Sequence, residues 1–236
     1  TLLDLRNLCL PKTSAISESI HSILLNEKGT DGGVNPGKTI VQSDVCINGM
    51  VLNYACYFGA KQELLKSIVD YILLQQLPDG GFNCQFNRKG ARHSSLHSTL
   101  SVAEGINEYT RGGYTYRINE LMQKEQEARE FILQHRLFKS DKTGKIIDKR
   151  MLMLSYPSRW RYDILRALDY FRYAKVPYDD RMQDALDILL KKQRADGYWP
   201  VQQKHPGKRH FEMEAVGQPS RWNTLRALRV LNYFNF

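Results

Sequence analysis

The feature that most limits what this chain can fold into is a glycine turn that keeps returning. Asp31-Gly32-Gly33, Asp79-Gly80-Gly81, Lys142-Thr143-Gly144 and Asp196-Gly197 each separate stretches whose apolar residues recur at helical spacing. Glycine ends a helix by taking the left-handed conformation just past its last turn. Asp79 follows Asp31 by 48 residues, and Asp196 follows Gly144 by 52. A period near 50 that holds two helices is the mark of stacked helical pairs, none of which can bury its apolar face alone. Alternating β-branched stretches are almost absent, so the expectation is an all-α chain. The spacing predicts helices over 14–26, 44–58, 62–76, 95–109, 118–135, 158–173, 179–193 and 220–234.

These helices are of two kinds. Residues 45–58 (VCINGMVLNYACYF) and 96–106 (LHSTLSVAEGI) are apolar or rich in small residues, whereas 61–76 and 181–193 are amphipathic and charged. The contrast implies an inner layer buried on most sides and an outer layer with one wet face. Inner helices arranged in a ring can aim their N-terminal ends at a shared cavity, a natural place for anionic groups.

Composition excludes several classes. With 42% hydrophobic and 25% charged residues the chain is neither disordered nor collagen-like. No apolar run reaches the roughly 18–20 residues of a membrane span, and residues 1–12 lack a signal-peptide layout, so a cytoplasmic location is expected. The formal charge of +9 suits an anionic partner. Because the basic residues are spread rather than blocked, a small anionic or apolar molecule is expected and nucleic acid is not. Cys9, Cys46, Cys56 and Cys84 form no CxxC pair and read as reduced thiols.

Two of the turns carry more detail. Gln76 to Phe82 reads Q-x3-G-x-F and Gln193 to Trp199 reads Q-x3-G-x-W. A glutamine at a helix end can bond stray backbone groups, while the aromatic ring packs over the turn. The first turn has Lys28 and Val34 in these places, and the turn at Gly144 lacks the aromatic. The pattern, from about Asp31 to the end of the chain, resembles the QW repeat of the squalene cyclase and protein prenyltransferase superfamily. That resemblance implies an α/α toroid: a single domain over 1–236 with inner and outer helices. The superfamily has five to seven hairpins and about four are found here, so the barrel is expected to be open or partial, with an N-terminal hairpin missing. An open edge would suit pairing with a second copy.

The resemblance also implies chemistry. Cyclases of the superfamily use a D-x-D-D acid, which is absent here. Prenyltransferases hold zinc through Asp-x-Cys on one inner helix and His on the next, which points to Asp44, Cys46 and His97 as metal ligands. Asp44 and Asp163 are the candidate catalytic carboxylates. The tetrapeptide Pro-Ser-Arg-Trp occurs at 157–160 and again at 219–222, where each copy is expected to open an inner helix. Arg159, Trp160, Arg161, Tyr162, Arg221, Trp222 and Asn223, with His93 at the matching place in the middle hairpin, are candidate ligand-binding residues. Guanidinium forks suit a diphosphate, and aromatic rings suit a prenyl chain. The implied activity is a transferase or cyclase acting on an isoprenoid diphosphate. Two other readings stay open: a non-catalytic toroid that binds a ligand or protein, and a carbohydrate-active (α/α) barrel drawing its two carboxylates from Asp44, Glu104 and Asp163. The segment 204–214, with His205, His210, Glu212 and Glu214, reads as a lid or a solvated loop.

Overall fold

The computed structural model describes residues 1–38, 40–207 and 211–236, and the chain is mostly helical. It divides into two compact units, Thr1–Phe131 and Ile132–Phe236. The first holds α1 (Leu2–Asn7), α2 (Ser14–Asn26), α3 (Val45–Tyr57), α4 (Gln62–Leu74), the short α5 (Phe86–Lys89), α6 (Leu96–Arg111) and most of α7 (Ile118–Gln134). The second holds α8 (Ile164–Tyr173), α9 (Gln183–Lys191) and α10 (Arg221–Phe234). It also holds a pair of two-residue antiparallel strands, β1 (Trp199–Pro200) and β2 (Pro219–Ser220), with Trp199 opposite Ser220.

In the first unit the two kinds of helix behave as their sequences predict, whereas α10, expected as an inner helix, buries one stripe and leaves Leu225, Leu228 and Tyr233 exposed. In α2 the buried residues Ile16, Ile20 and Leu24 form one stripe, and Thr13 caps the helix by accepting the Ile16 N–H at 3.3 Å. In α4 the stripe is Leu65, Ile68, Val69 and Ile72. By contrast, α3 and α6 bury residues all round, including Asn48, Asn53, Ser98, Thr99 and Ser101. These two helices pack backbone against backbone. A methyl placed on Gly105 would lie 2.3 Å from the Gly49 carbonyl oxygen, and one on Gly49 would lie 2.5 Å from the Ser101 carbonyl oxygen.

Three of the glycine turns share one hydrogen-bond pattern. Gly29, Leu77 and Arg194 donate their N–H groups to the carbonyls of Gly33, Gly81 and Tyr198 at 2.8–2.9 Å. Gly32, Gly80 and Gly197 take φ values of 83–86°. Val34, Phe82 and Trp199 follow, each fully buried. Their N–H groups are accepted by Asn48 Oδ1, Thr99 Oγ1 and Thr224 Oγ1 at 2.7–2.9 Å, side chains that stand four residues after the N-cap of the next helix. The first turn therefore keeps the geometry although its sequence copy is degenerate. The glutamines act as expected: Gln76 and Gln193 donate to the Gly80 and Gly197 carbonyls at 2.6 and 3.1 Å. The turn at Gly144 differs, since Gly144 donates its N–H to the Ser140 carbonyl.

One predicted boundary is corrected. Residues 158–163 are not helical, and α8 starts at Ile164 with Asp163 as its N-cap. Arg159 takes a φ of 52°, outside the helical range. The other Pro-Ser-Arg-Trp copy does open its helix, with Ser220 accepting the Asn223 N–H at 2.9 Å. The two copies are therefore not structural equivalents. What differs is the residue able to cap: Asp163 holds the Arg166 N–H at 2.8 Å, which leaves Ser158 outside the helix.

The α3–α6 contact yields a test. Replacing Gly105 by alanine gains about 1 kcal/mol of helix propensity but forces a methyl into backbone that cannot rotate away. Overpacking of this kind costs roughly 1–3 kcal/mol or more, so Gly105→Ala is expected to lose about 2 kcal/mol in urea unfolding. An unchanged or higher unfolding midpoint would contradict the close approach.

Candidate functional site

Polar side chains gather at the N-terminal ends of the buried helices in both units. In the first unit Asp44 is the N-cap of α3 but makes no side-chain cap bond. An amide of the helix's first turn is thus left without its usual acceptor. The Cys46 N–H is taken instead by Cys84 Sγ at 3.3 Å. Cys84 lies two residues past Phe82, where the second turn runs across the ends of α3 and α6. Its own N–H donates to Ser98 Oγ at 3.3 Å, and the Ser98 hydroxyl reaches the Cys84 sulfur at 3.4 Å. The neighbouring Cys46 side chain, and after it Ser98 and the Cys46 amide, pull the Cys84 pKa below the usual thiol value. Cys46 is held far above it, first by the neighbouring Cys84 and then by burial.

His97 sits in the first turn of α6, half-buried, with its carbonyl accepting the Ser101 hydroxyl at 3.0 Å. His93 is exposed, with Nδ1 3.9 Å from Asp79. Among the described residues no group of three or more His, Cys, Asp and Glu side chains gathers as metal ligands. The sulfur beside Cys46 belongs to Cys84, a residue outside the ligand set that the sequence suggested.

In the second unit the candidate residues lie around Asp163. This carboxylate is 1% exposed, and both its oxygens are engaged. Oδ1 accepts the Arg166 N–H and Oδ2 accepts the Ser155 hydroxyl, each at 2.8 Å. Its charge also reaches Lys192, His205 and Arg226. Arg166 is buried and donates to the Arg161 carbonyl at 2.9 Å. The Arg161 guanidinium lies 4.3 Å over the Trp160 ring, which is 42% exposed. Arg159 donates to the Pro206 carbonyl at 3.2 Å. Tyr162 and Asn223 are buried, their polar groups donating to the carbonyls of Leu137 at 2.5 Å and Pro200 at 3.1 Å. Trp222 stacks on Tyr156 with ring centres 5.4 Å apart, and Arg221 is exposed.

The loop that follows takes part in the same corner. Glu214 accepts the Ser220 hydroxyl and, at 3.4 Å, the Trp222 N–H, while Lys204 pairs with Glu212. His210 lies outside the described residues. His205 Nε2 is buried and finds no hydrogen-bond partner among the described residues. Burial, and then the charges of Arg161 and Arg159, hold its pKa below the ordinary imidazole value.

Sequence reasoning passed over Cys84, Ser98, Arg166 and Lys192. The position of Cys84 two residues beyond the turn aromatic is the signal that would have found it, because the turn must lie against the next helix. No family model matches the chain, and no curated protein matches it.

A histidine whose folded pKa is depressed adds stability that is present above its unfolded value, about 6.5, and lost as pH falls through the folded one. The thermal midpoint of the wild type is therefore expected to fall more steeply between about pH 7 and pH 5 than that of His205→Gln. Parallel curves would contradict the desolvated setting of His205.

Proposed function

We propose that the chain is a protein of the terpenoid cyclase and protein prenyltransferase kind, built as a partial α/α toroid, that binds an isoprenoid diphosphate or a similar apolar anion. The binding place is the corner around Arg159, Trp160 and Arg161. The observation that carries the reading is the pairing of Arg161 with the exposed Trp160 ring, 4.3 Å from guanidinium carbon to ring centre. A cation already seated on an aromatic face presents both the charge that a diphosphate needs and the apolar surface that a prenyl chain needs. Arg159 extends the same electropositive corner, and its charge with that of Arg161 helps to keep the desolvated His205 beside it neutral. The alternation of all-round buried helices with striped ones supports the toroid reading.

Binding is favoured over catalysis by a specific observation. Asp163, the candidate catalytic carboxylate of this unit, spends both oxygens on Ser155 and the α8 amide. A general acid or base needs an oxygen within reach of the substrate.

Titration calorimetry with farnesyl diphosphate tests the reading. Wild type is expected to bind, and Arg161→Ala and Trp160→Ala to bind about tenfold or more weakly, each about 1.4 kcal/mol, with unchanged circular dichroism. Inorganic diphosphate and farnesol, titrated separately, should each bind more weakly than the whole ligand. Absence of heat with the wild type would end the proposal.

A further inference from the structure

We propose that Cys46 and Cys84 form a thiol pair that hydroperoxides oxidise to an intramolecular disulfide, with Cys84 reacting first and Cys46 resolving it. The geometry distinguishes this pair from the other two cysteines. Cys56 is buried and Cys9 is exposed at the end of α1, whereas Cys46 and Cys84 are half-buried, and the Cys84 sulfur lies 3.3 Å from the Cys46 amide nitrogen. A small oxidant can reach such a site, and a bulky one is hindered.

Cys84 is also the sulfur prepared to carry negative charge. It accepts a first-turn amide of α3 at 3.3 Å and the Ser98 hydroxyl at 3.4 Å. Hydrogen bonds to sulfur and the positive end of a helix both favour the thiolate, which is the attacking form. Cys46 stands where a resolving thiol must stand, because its backbone already touches the Cys84 sulfur and a turn of its side chain is enough to form a bond of about 2.05 Å.

The chemistry balances with the hydroperoxide as the only oxidant. The Cys84 thiolate attacks a peroxide oxygen and the O–O bond breaks, leaving a sulfenic acid and, with hydrogen peroxide, a hydroxide that takes up a proton. The Cys46 sulfur then attacks the sulfenic sulfur. The S–S bond forms, the S–O bond breaks and a second water leaves. Two thiols lose two electrons in all, and one peroxide gains them.

The test uses the full reduced chain treated with equimolar hydrogen peroxide. Trypsin separates the two cysteines by cutting at Lys61 and Lys66. Tandem mass spectrometry without reductant is expected to find peptides 39–61 and 67–88 joined, lighter by two hydrogens than their sum, with the fragment ions placing the link on Cys46 and not on Cys56. In Cys46→Ser, dimedone should trap a sulfenic acid on Cys84. In Cys84→Ser, whose hydroxyl can still accept the Cys46 amide, loss of the Cys46 thiol should slow at least tenfold. The proposal fails if the joined peptides are absent while Cys9 oxidises, or if Cys46 reacts as fast in Cys84→Ser as in the wild type. Should Cys84→Ser not fold, the dimedone adduct in Cys46→Ser decides alone: on Cys84 it supports the assignment, and on Cys9 only it overturns it. None of these outcomes depends on whether farnesyl diphosphate binds.

Discussion

The bond between the buried residue after each glycine turn and a side chain of the next helix is the constraint on which the rest depends. Val34, Phe82 and Trp199 enter the core two residues after a left-handed glycine, and each carries a backbone N–H in with it. An unpaired buried N–H costs about 1–3 kcal/mol, and the turn has no spare acceptor. Asn48, Thr99 and Thr224 supply one from the first turn and a half of the following helix. Asn48 and Thr99 also return a bond to the carbonyls of Val34 and Phe82. Each turn is thereby fixed to the N-terminal end of α3, α6 or α10, and the residues two places on, Cys84 among them, are held there too.

Much of this was legible in the sequence, for a physical reason. A helix with one wet face writes its burial as a 3.6-residue stripe, so α2 and α4 were found within about a turn. Glycine at a left-handed position is equally plain, because few other residues tolerate it. The start of α8 was not legible. Ser158 and Asp163 are both good N-caps, and only the tertiary bond from Ser155 to Asp163 shows which of them is used. The joining of Cys46 to Cys84 was hidden for a similar reason. The two stand 38 positions apart with a whole helical pair between them, and local spacing says nothing about where its far end returns.

The contact between α3 and α6 explains why their sequences look weakly amphipathic or simply small. Where Gly49 meets Gly105, the carbonyls and α-carbons are themselves the packing surface. Side chains nearby must be short or must satisfy their own polar groups, as Ser101 does with the His97 carbonyl and Asn53 with the Glu104 carbonyl. The same tightness sets the second glycine of the first two turns. A methyl on Gly33 or Gly81 would meet the β-carbon of Ser43 or Ser94 at 2.8 or 2.5 Å. Those serines are locked by Asp31 and Asp79, which accept both the serine amide and its hydroxyl.

The third turn shows what happens when that lock is removed. Pro219 stands in the serine's place; it has no N–H for Asp196 to accept and no hydroxyl. Asp196 keeps the bond to the amide two places on, that of Tyr198, as Asp31 and Asp79 do with Gly33 and Gly81, and meets Arg194 where they meet the serine; the second glycine becomes a half-exposed Tyr198. The lost connection is replaced by the Trp199–Ser220 strand pair and by Glu214, which reaches from the loop to Ser220 and the Trp222 amide. The buried helices therefore solve one problem, the unpaired amides of the first turn, with different groups. α3 uses a sulfur from a neighbouring turn, α8 a buried carboxylate of its own, and α10 a serine backed by a distant carboxylate. A carboxylate in this position is stabilised by the helix's positive end and gains little from reacting. A thiol in the same position is made more nucleophilic by it. The end of α3 is the one where structural capping and chemical reactivity demand the same thing of the capping atom.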